Sequence, residues 1–405
     1  MSGFRSAGYA WKLFCGEGAL ERDLKAMVAR AGASRAFVIC SPSVRQRTDL
    51  VDRIDAALGG LCAGHFAGIE KDSGYGSVCA ARDAAHEAGA DLLIAVGGGS
   101  VIVAVRAVAI FLAEAGDPFA LMTQYPADGP AVSPRLLAPK LPIVNVPTTP
   151  TSAMNRAGTG LRNPELDQRM EYFDPKTRPG AIFLDDGALL SAPPALLLST
   201  ATTVFAGCVA GLSQAPSNPL VEGDQAQAFR LAHGAYRGLA DDLGSPTRRR
   251  DLALAAFLQN RAEDDGRALV RGGPFAGDYA VSTALHLRFP HVGQGEATAV
   301  VHAPALRRAE TVAPDAARRV AEGLEVWQPD MSTQAAVVAV ADRLETLYRQ
   351  AGMPADLRSL GIAREDLPAV AALTVKNFNA RAGERDPQAQ IAAARALLDA
   401  AWQAG

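Results

Sequence analysis

The stretch Leu93-Ile-Ala-Val-Gly97-Gly98-Gly99-Ser100 decides how the first half of the chain is read. A short apolar run of buried-strand type leads into three glycines, and an apolar helical segment, Val101 to Glu114, follows at once. Strand, glycine turn and helix in that order make a cradle for an anion. Glycines let the backbone approach a pyrophosphate closely, and the first N–H groups of the helix point at it with the positive end of the helix dipole behind them. The alternative is a glycine turn needed only for tight packing of strand on helix.

Outward from this turn the same grammar repeats. Leu20, Leu24, Met27 and Val28 recur at helical spacing up to Gly32, Ala36-Phe-Val-Ile-Cys40 reads as a strand, and Leu50 to Leu58 is helical up to Gly59-Gly60. Cys79 to Ala88 reads as a helix before the strand Asp91 to Val96, and two more apolar runs, Leu141 to Val146 and Ala181 to Leu184, complete a parallel sheet covered on both faces. Gly116 to Lys140, with five prolines and no period, reads as a surface excursion, a lid or a dimer contact. From about Pro193 the strand-like runs stop and alanine- and leucine-rich helical segments take over, such as Ser332 to Ala351 and Gln388 to Trp402. The expected organisation is an α/β Rossmann-like nucleotide-binding domain over residues 1–192 and an all-α domain over 193–405.

Composition removes several function classes. Forty basic against forty-three acidic residues give a net charge of −3, so no global electrostatic attraction favours nucleic acid or an anionic membrane. The longest apolar stretch, Val101 to Ala113, is shorter than the ~20 residues of a membrane span and contains Arg106. The first residues hold no apolar run of signal-peptide length, which makes the cytoplasm the expected location. Five cysteines without CxxC spacing suit reduced thiols, and six histidines are few for a metalloenzyme of 405 residues.

A second polar loop, Pro147-Thr148-Thr149-Pro150-Thr151-Ser152, follows the strand Leu141 to Val146, where ligands lie in open parallel sheets. Read alone it is equally a turn held by its own hydroxyls. Together with the glycine turn, with Phe14-Cys15-Gly16-Glu17-Gly18, Pro179 to Asp185 and Gly295-Glu296-Ala297-Thr298-Ala299, it resembles the iron-dependent (group III) alcohol dehydrogenase family. The wider superfamily includes glycerol dehydrogenase, maleylacetate reductase and dehydroquinate synthase. The resemblance implies a dehydroquinate synthase-like fold: an N-terminal domain binding NADP or NAD through Gly97, Gly98, Gly99, Ser100, Thr148 and Thr149, a helical C-terminal domain, and an active site in the cleft between them. It also implies a homodimer.

The departures carry more information than the matches. Where the family places an aspartate and a histidine as metal ligands, this chain has Phe205 and Val209. The two later ligand histidines become Ser282 and Gln294. Apolar side chains cannot coordinate Fe²⁺ or Zn²⁺, so no catalytic metal is expected. In the cofactor half the family's GGGSxxDxxK has Val103 for the aspartate and Arg106 for the lysine. At the end of the first βαβ strand, Ser41 stands near where NAD-preferring members carry an aspartate, and its lack of charge admits a 2′-phosphate.

Without a metal, reduction of a carbonyl needs a proton donor and positive charge for the developing oxyanion. His286, matching a histidine that the family keeps near its metal, is the first candidate donor, and His291 on the same loop is the second. Packing between helices is the competing role for His286. Arg156, after Asn155, offers a guanidinium for a carboxylate or carbonyl, against the commoner fate of a surface arginine. Asp278 and Tyr279 are weaker candidates, Cys208 reads as core, and His65, His86, His233 and His302 show no ligand-like spacing. The expected function is a metal-independent NAD(P)H-dependent oxidoreductase acting on a small polar carbonyl or enol-type substrate. The alternatives are a non-redox lyase, isomerase or cyclase reusing the same cleft, or a catalytically silent nucleotide-binding relative.

Overall fold

The computed structural model describes residues 3–126, 131–264, 274–377 and 386–403. Two compact units divide the chain: Tyr9–Pro193 forms one, and Pro194–Gly405 with Met1–Gly8 forms the other. Regular structure in the α/β unit begins at Lys12.

In the α/β unit the order is β1 (Lys12–Gly16), α1 (Ala19–Arg30), β2 (Ala36–Cys40), α2 (Pro42–Arg47), α3 (Leu50–Leu58), β3 (Cys62–Phe66), α4 (Tyr75–Glu87), β4 (Leu92–Gly97), α5 (Gly99–Ala113), α6 (Pro118–Leu121), β5 (Ile143–Pro147), β6 (Gly158–Leu161), β7 (Met170–Phe173), β8 (Ala181–Asp185) and α7 (Asp186–Leu190). Six strands form one parallel sheet in the order β1-β8-β5-β4-β2-β3. Strand alternation sorts the core into two layers. Val38, Ile94, Val96, Val144 and Phe183 face α1 and α3. Phe37, Ile39, Leu93, Ala95 and Ile143 face α4 and α5.

Helix α5 is buried nearly all round, because the sheet covers one side and the antiparallel pair β6–β7 the other. Thr159 Oγ1 on β6 donates to the Val103 carbonyl at 2.6 Å. Most described residues of the segment 116–140 are exposed, as a surface excursion would be, although 127–130 lie outside the described residues and a few side chains anchor the segment. Met122 and Leu136 join the core. The fully buried Lys140 ammonium pairs with Glu114 at 2.6 Å and Asp174 at 3.0 Å, which offsets the cost of taking that charge out of water.

The other unit holds α8 (Pro194–Ser213), α9 (Pro219–Tyr236), α10 (Pro246–Asp264), α11 (Tyr279–Arg288), α12 (Gln294–Arg307), α13 (Pro314–Gly323), α14 (Thr333–Gln350), α15 (Leu367–Leu373) and α16 (Pro387–Gln403). Helix α8, rather than Val101 to Ala113, is the long apolar segment; its length and hydropathy would suit a membrane span. Most of it is buried against α9, α10, α12 and α13, the position of a core helix. The start of α12 crosses α8 so closely that a Cβ on Gly295 would stand 2.0 Å from the Ser199 carbonyl oxygen. Ser199 Oγ accepts from the Gly295 N–H at 3.2 Å and donates to Glu296 Oε2 at 2.5 Å. A side chain here must push two helix backbones apart, so Gly295→Ala is expected to cost about 3 kcal/mol or more. Urea unfolding followed by circular dichroism checks this; an unchanged midpoint would remove the close crossing from the account.

Candidate active site

The crevice of the α/β unit follows from its topology. The chain leaves β2 toward α2 and α3 on one face and leaves β4 toward α5 on the other, and these two strands are neighbours. Loops that part to opposite faces open a crevice at the carboxyl ends of the strands, the usual ligand position in such sheets. Parallel registers Cys40↔Val96 and Gly97↔Pro147 bring Ser41, the glycine turn and the threonine loop to that same end.

Gly97 closes β4 at φ +154, and an added Cβ would lie 2.8 Å from Val101 Cγ2, so glycine is needed for backbone and packing alike. Gly98 caps α5, and Gly99 and Ser100 lie in its first turn; the predicted turn therefore ends two residues into the helix. The helix carries no acidic residue in its first turn, leaving its positive end unopposed. The Thr148 N–H donates to the Gly97 carbonyl at 3.0 Å, which ties the two loops together. A Cβ on Gly98 would meet Thr149 Oγ1 at 3.5 Å, and one on Gly99 would meet Thr151 Oγ1 at 3.0 Å. Thr149 Oγ1 itself is buried with no hydrogen-bond partner among the described residues. An orphaned hydroxyl beside bare glycine backbone is an arrangement that a bound polar group would complete.

Several residues to which the sequence reading gave no role support the site. Arg106 is fully buried and donates to the carbonyls of Ile102 at 3.4 Å, Ala153 at 2.7 Å and Gly158, which pins the segment after the threonine loop. Burial first, and the nearby Arg156 second, push its pKa down to about 9. Asn145 on β5 holds the same segment by donating to Met154 O at 2.7 Å. Asp72 and Ser73, both at positive φ, pack on Ser100: the Asp72 N–H donates to Ser100 Oγ at 3.1 Å and Ser73 Oγ to Ser100 O at 2.6 Å. Of these, Arg106 alone left a trace in the sequence, by its spacing after the glycines. Ser41 caps α2, where its hydroxyl accepts from the Val44 N–H at 3.4 Å. Arg156 is partly buried on the segment that Arg106 holds.

The helical unit holds Phe205, Val209, Ser282 and Gln294, the four residues that the sequence reading set at the family's metal-ligand positions. Phe205 is fully buried and stacks on Tyr236 with ring centroids 4.7 Å apart, and Tyr348 meets both rings edge-on at 6.3 Å. Val209 is fully buried. Ser282 and Gln294 are brought together, with Gln294 Nε2 donating to Ser282 Oγ at 2.9 Å. His302 lies beneath the same aromatic group. Its Nε2–H donates to Phe275 O at 2.9 Å, so Nδ1 accepts from the Tyr348 hydroxyl at 2.7 Å, and burial drives its pKa down to about 4. His233 stacks on Phe229, and burial lowers its pKa too.

His286 is half-buried on α11, where Nδ1–H donates to the Val292 carbonyl at 2.7 Å. His291 is exposed and its Nε2–H donates to Leu360 O at 3.0 Å. Asp278 caps α11 through its carboxylate and Tyr279 opens that helix, so both have structural work. Cys208 is buried, with Gln259 Oε1 at 3.8 Å. Among the described residues, the trio of His, Cys and acidic side chains that converges is Asp55, Cys62 and His65 in the α/β unit. The spacing of His65 had shown nothing of the kind.

Residues 10–186 match the iron-containing alcohol dehydrogenase family, and residues 199–400 match the C-terminal part of the same family. Lactaldehyde reductase of Escherichia coli K12 is 26% identical over 361 residues, covering 87% of this chain and 88% of that protein. Maleylacetate reductase of Burkholderia cepacia is 26% identical over 402 residues, covering 96% and 94%. The solved structure of NADH-dependent butanol dehydrogenase A from Thermotoga maritima superposes with a TM-score of 0.80 at 16% identity, over 98% of this chain and 99% of that one, a likeness of fold. With family matches over both halves, the chain belongs to the iron-containing alcohol dehydrogenase family and is an oxidoreductase of the alcohol dehydrogenase type.

Proposed function

We propose that the protein is a metal-independent, NAD(P)H-dependent reductase of a small polar carbonyl or enol-type substrate. The observation that carries the metal-free part is the hydrogen bond between Ser282 and Gln294, two neutral side chains at ligand positions, together with Phe205 locked into a ring stack. An amide and a hydroxyl are poor partners for Fe²⁺ or Zn²⁺, and the phenyl and isopropyl groups offer no donor atom. The residues present do not fit a metal there, and the proposed chemistry runs through none.

The nucleotide fits better. Gly97, Gly98, Gly99 and Ser100 present bare backbone and a helix N-terminus, Thr148 and Thr149 stand beside them, and the Thr149 hydroxyl lacks a partner. When bound, NAD(P)H supplies the hydride. Ser41 presents no carboxylate to repel a 2′-phosphate, and α2 behind it carries Arg45 and Arg47, which favours NADPH. His286 commits its Nδ1–H to Val292, so the proton it exchanges with the substrate oxygen is held at Nε2. Arg156 supplies positive charge in place of a metal, and His291, tethered to Leu360, ranks behind His286. Lactaldehyde and maleylacetate, in the names of two relatives, are small polar carbonyl compounds, which supports this substrate class. The proposal includes a cytoplasmic homodimer.

Protein stripped with a chelator is expected to keep its full rate of NADPH oxidation with a substrate of this class. Iron or zinc that leaves with the activity and restores it on return would overturn the metal-free reading. His286→Ala is expected to lower kcat by about 10²-fold or more at neutral pH; a kcat within a few-fold of the parent would move the proton donor elsewhere. Ser41→Asp keeps a helix cap while adding charge, and is expected to weaken NADPH binding about 10-fold, roughly 1.4 kcal/mol, with NADH much less affected. Fluorescence titration with both nucleotides reads this directly, and equal losses for the two would dismiss Ser41 as the discriminating position.

A further inference from the structure

One cluster of donor atoms has no part in the proposed reductase site. Asp55 sits on α3, and Cys62 and His65 on β3, the edge strand of the sheet. On a regular strand, residues three apart point to opposite faces. Here the register jumps: Ala36 faces Cys62 but Phe37 faces Gly64, so Ala63 is an extra residue, and Val38 then faces His65. The bulge turns Cys62 and His65 to the same face, the one covered by α3. Gly64 makes this possible, with φ +145 and a missing Cβ that would press on the Phe37 ring at 3.2 Å.

The three side chains converge. His65 Nε2 lies 2.7 Å from the Asp55 carboxylate, Cys62 Sγ 3.2 Å from Asp55 Oδ1, and Cys62 Sγ 3.7 Å from His65 Nε2. With Zn–S of about 2.3 Å and Zn–N and Zn–O of about 2.0 Å, tetrahedral coordination puts donor atoms about 3.3–3.6 Å apart. The two edges to sulfur are already near those lengths. The third is shorter because a proton now sits between nitrogen and carboxylate. A cysteine–histidine–aspartate relay is a different arrangement, with the carboxylate on one ring nitrogen and the thiol on the other. Here both meet Nε2, so the imidazole is not placed to take a proton from the thiol while held by the acid. Convergence of sulfur, nitrogen and oxygen on one point is instead what a cation requires. His65 and Asp55 keep side-chain exposures of 34% and 33%, which leaves a route in from solvent and room for a water ligand.

We propose that Asp55, Cys62 and His65 form a site for one borderline-soft divalent cation, Zn²⁺ in first place, that clips α3 to the edge strand β3. Thiolate and imidazole donors select Zn²⁺ over Mg²⁺ or Ca²⁺. Binding displaces the thiol proton, and the ion joins residues on either side of the turn that ends α3. The site is separate from the ligand positions of the helical unit, and its occupancy is independent of whether catalysis uses a metal.

The test is titration of the full-length, chelator-stripped protein with Co²⁺. One equivalent per chain is expected to produce a thiolate-to-cobalt charge-transfer band with tetrahedral d–d absorption, both abolished by excess Zn²⁺. Cys62→Ser is expected to remove the charge-transfer band, and His65→Ala to weaken Co²⁺ binding by about 100-fold or more, since even losing a group behind a ligand costs 10- to 100-fold. Melting of each variant without metal shows whether it is folded, and Asp55→Asn provides a third arm if one of them is not. Absence of the band at one equivalent, or its survival in Cys62→Ser, overturns the proposal. The readout is spectroscopic, so its failure leaves the proposed reductase activity untouched, and loss of that activity leaves the site untouched.

Discussion

The α/β unit depends on a buried cation that has no carboxylate partner among the described residues. Arg106 projects from the middle of α5 and satisfies its guanidinium on the backbone carbonyls of Ile102, Ala153 and Gly158. Burial of an arginine is costly, and the cost shows in a pKa drawn down to about 9. The return is positional. One planar fork fixes the segment that follows the threonine loop to the helix that follows the glycine turn. Because Thr148 also binds Gly97, the two loops at the carboxyl end of the sheet form a single framework. The family's lysine at this place would supply charge but one compact point of contact, whereas the fork reaches Ala153 and Gly158 together.

In the helical unit the corresponding constraint is aromatic. Phe205 is fully enclosed by its neighbours. Tyr236 stacks on the ring, Tyr348 meets it edge-on, and the Tyr236 and Tyr348 hydroxyls are satisfied by Thr202 and His302. The tautomer of His302 is set by the Phe275 carbonyl, and its low pKa keeps it neutral at physiological pH. A buried network in which each group answers another is expensive to rearrange. Ser282 and Gln294 answer each other in the same way. On the proposed metal-free reading, these positions are held by packing and hydrogen bonds like the rest of the core.

Much of this was legible in the residues because its signals are local. The strand, glycine turn and helix around Gly97 state their own order, and the buried strands β2, β4, β5 and β8 read as largely apolar runs because both of their faces are covered. The pair β6–β7 was missed for the opposite reason: Gly158-Thr-Gly-Leu161 and Met170-Glu-Tyr-Phe173 are too short to show a period, and only α5 beneath them makes them strands. Lys140 looked like part of a polar loop, since nothing in its neighbours announces Glu114, distant in sequence. Composition told the truth about scarce histidines but could not say which of the six would meet a carboxylate. That depended on one inserted residue.

The bulge at Ala63 also bears on why such a cluster stands where it does. An edge strand has a partner on one side alone, and its free N–H and C=O groups invite pairing with other chains. A bulge with a glycine at φ +145 twists β3 away from a flat template, which protects the edge but weakens its ladder to β2. Cross-linking the strand to α3 through Asp55 compensates for that weakness, by hydrogen bonds alone in the protonated state and more strongly through a cation. A metal there would act on the fold and not on the substrate. Its ligands lie on α3 and β3, so its occupancy does not depend on whether the proposed reductase chemistry uses a metal.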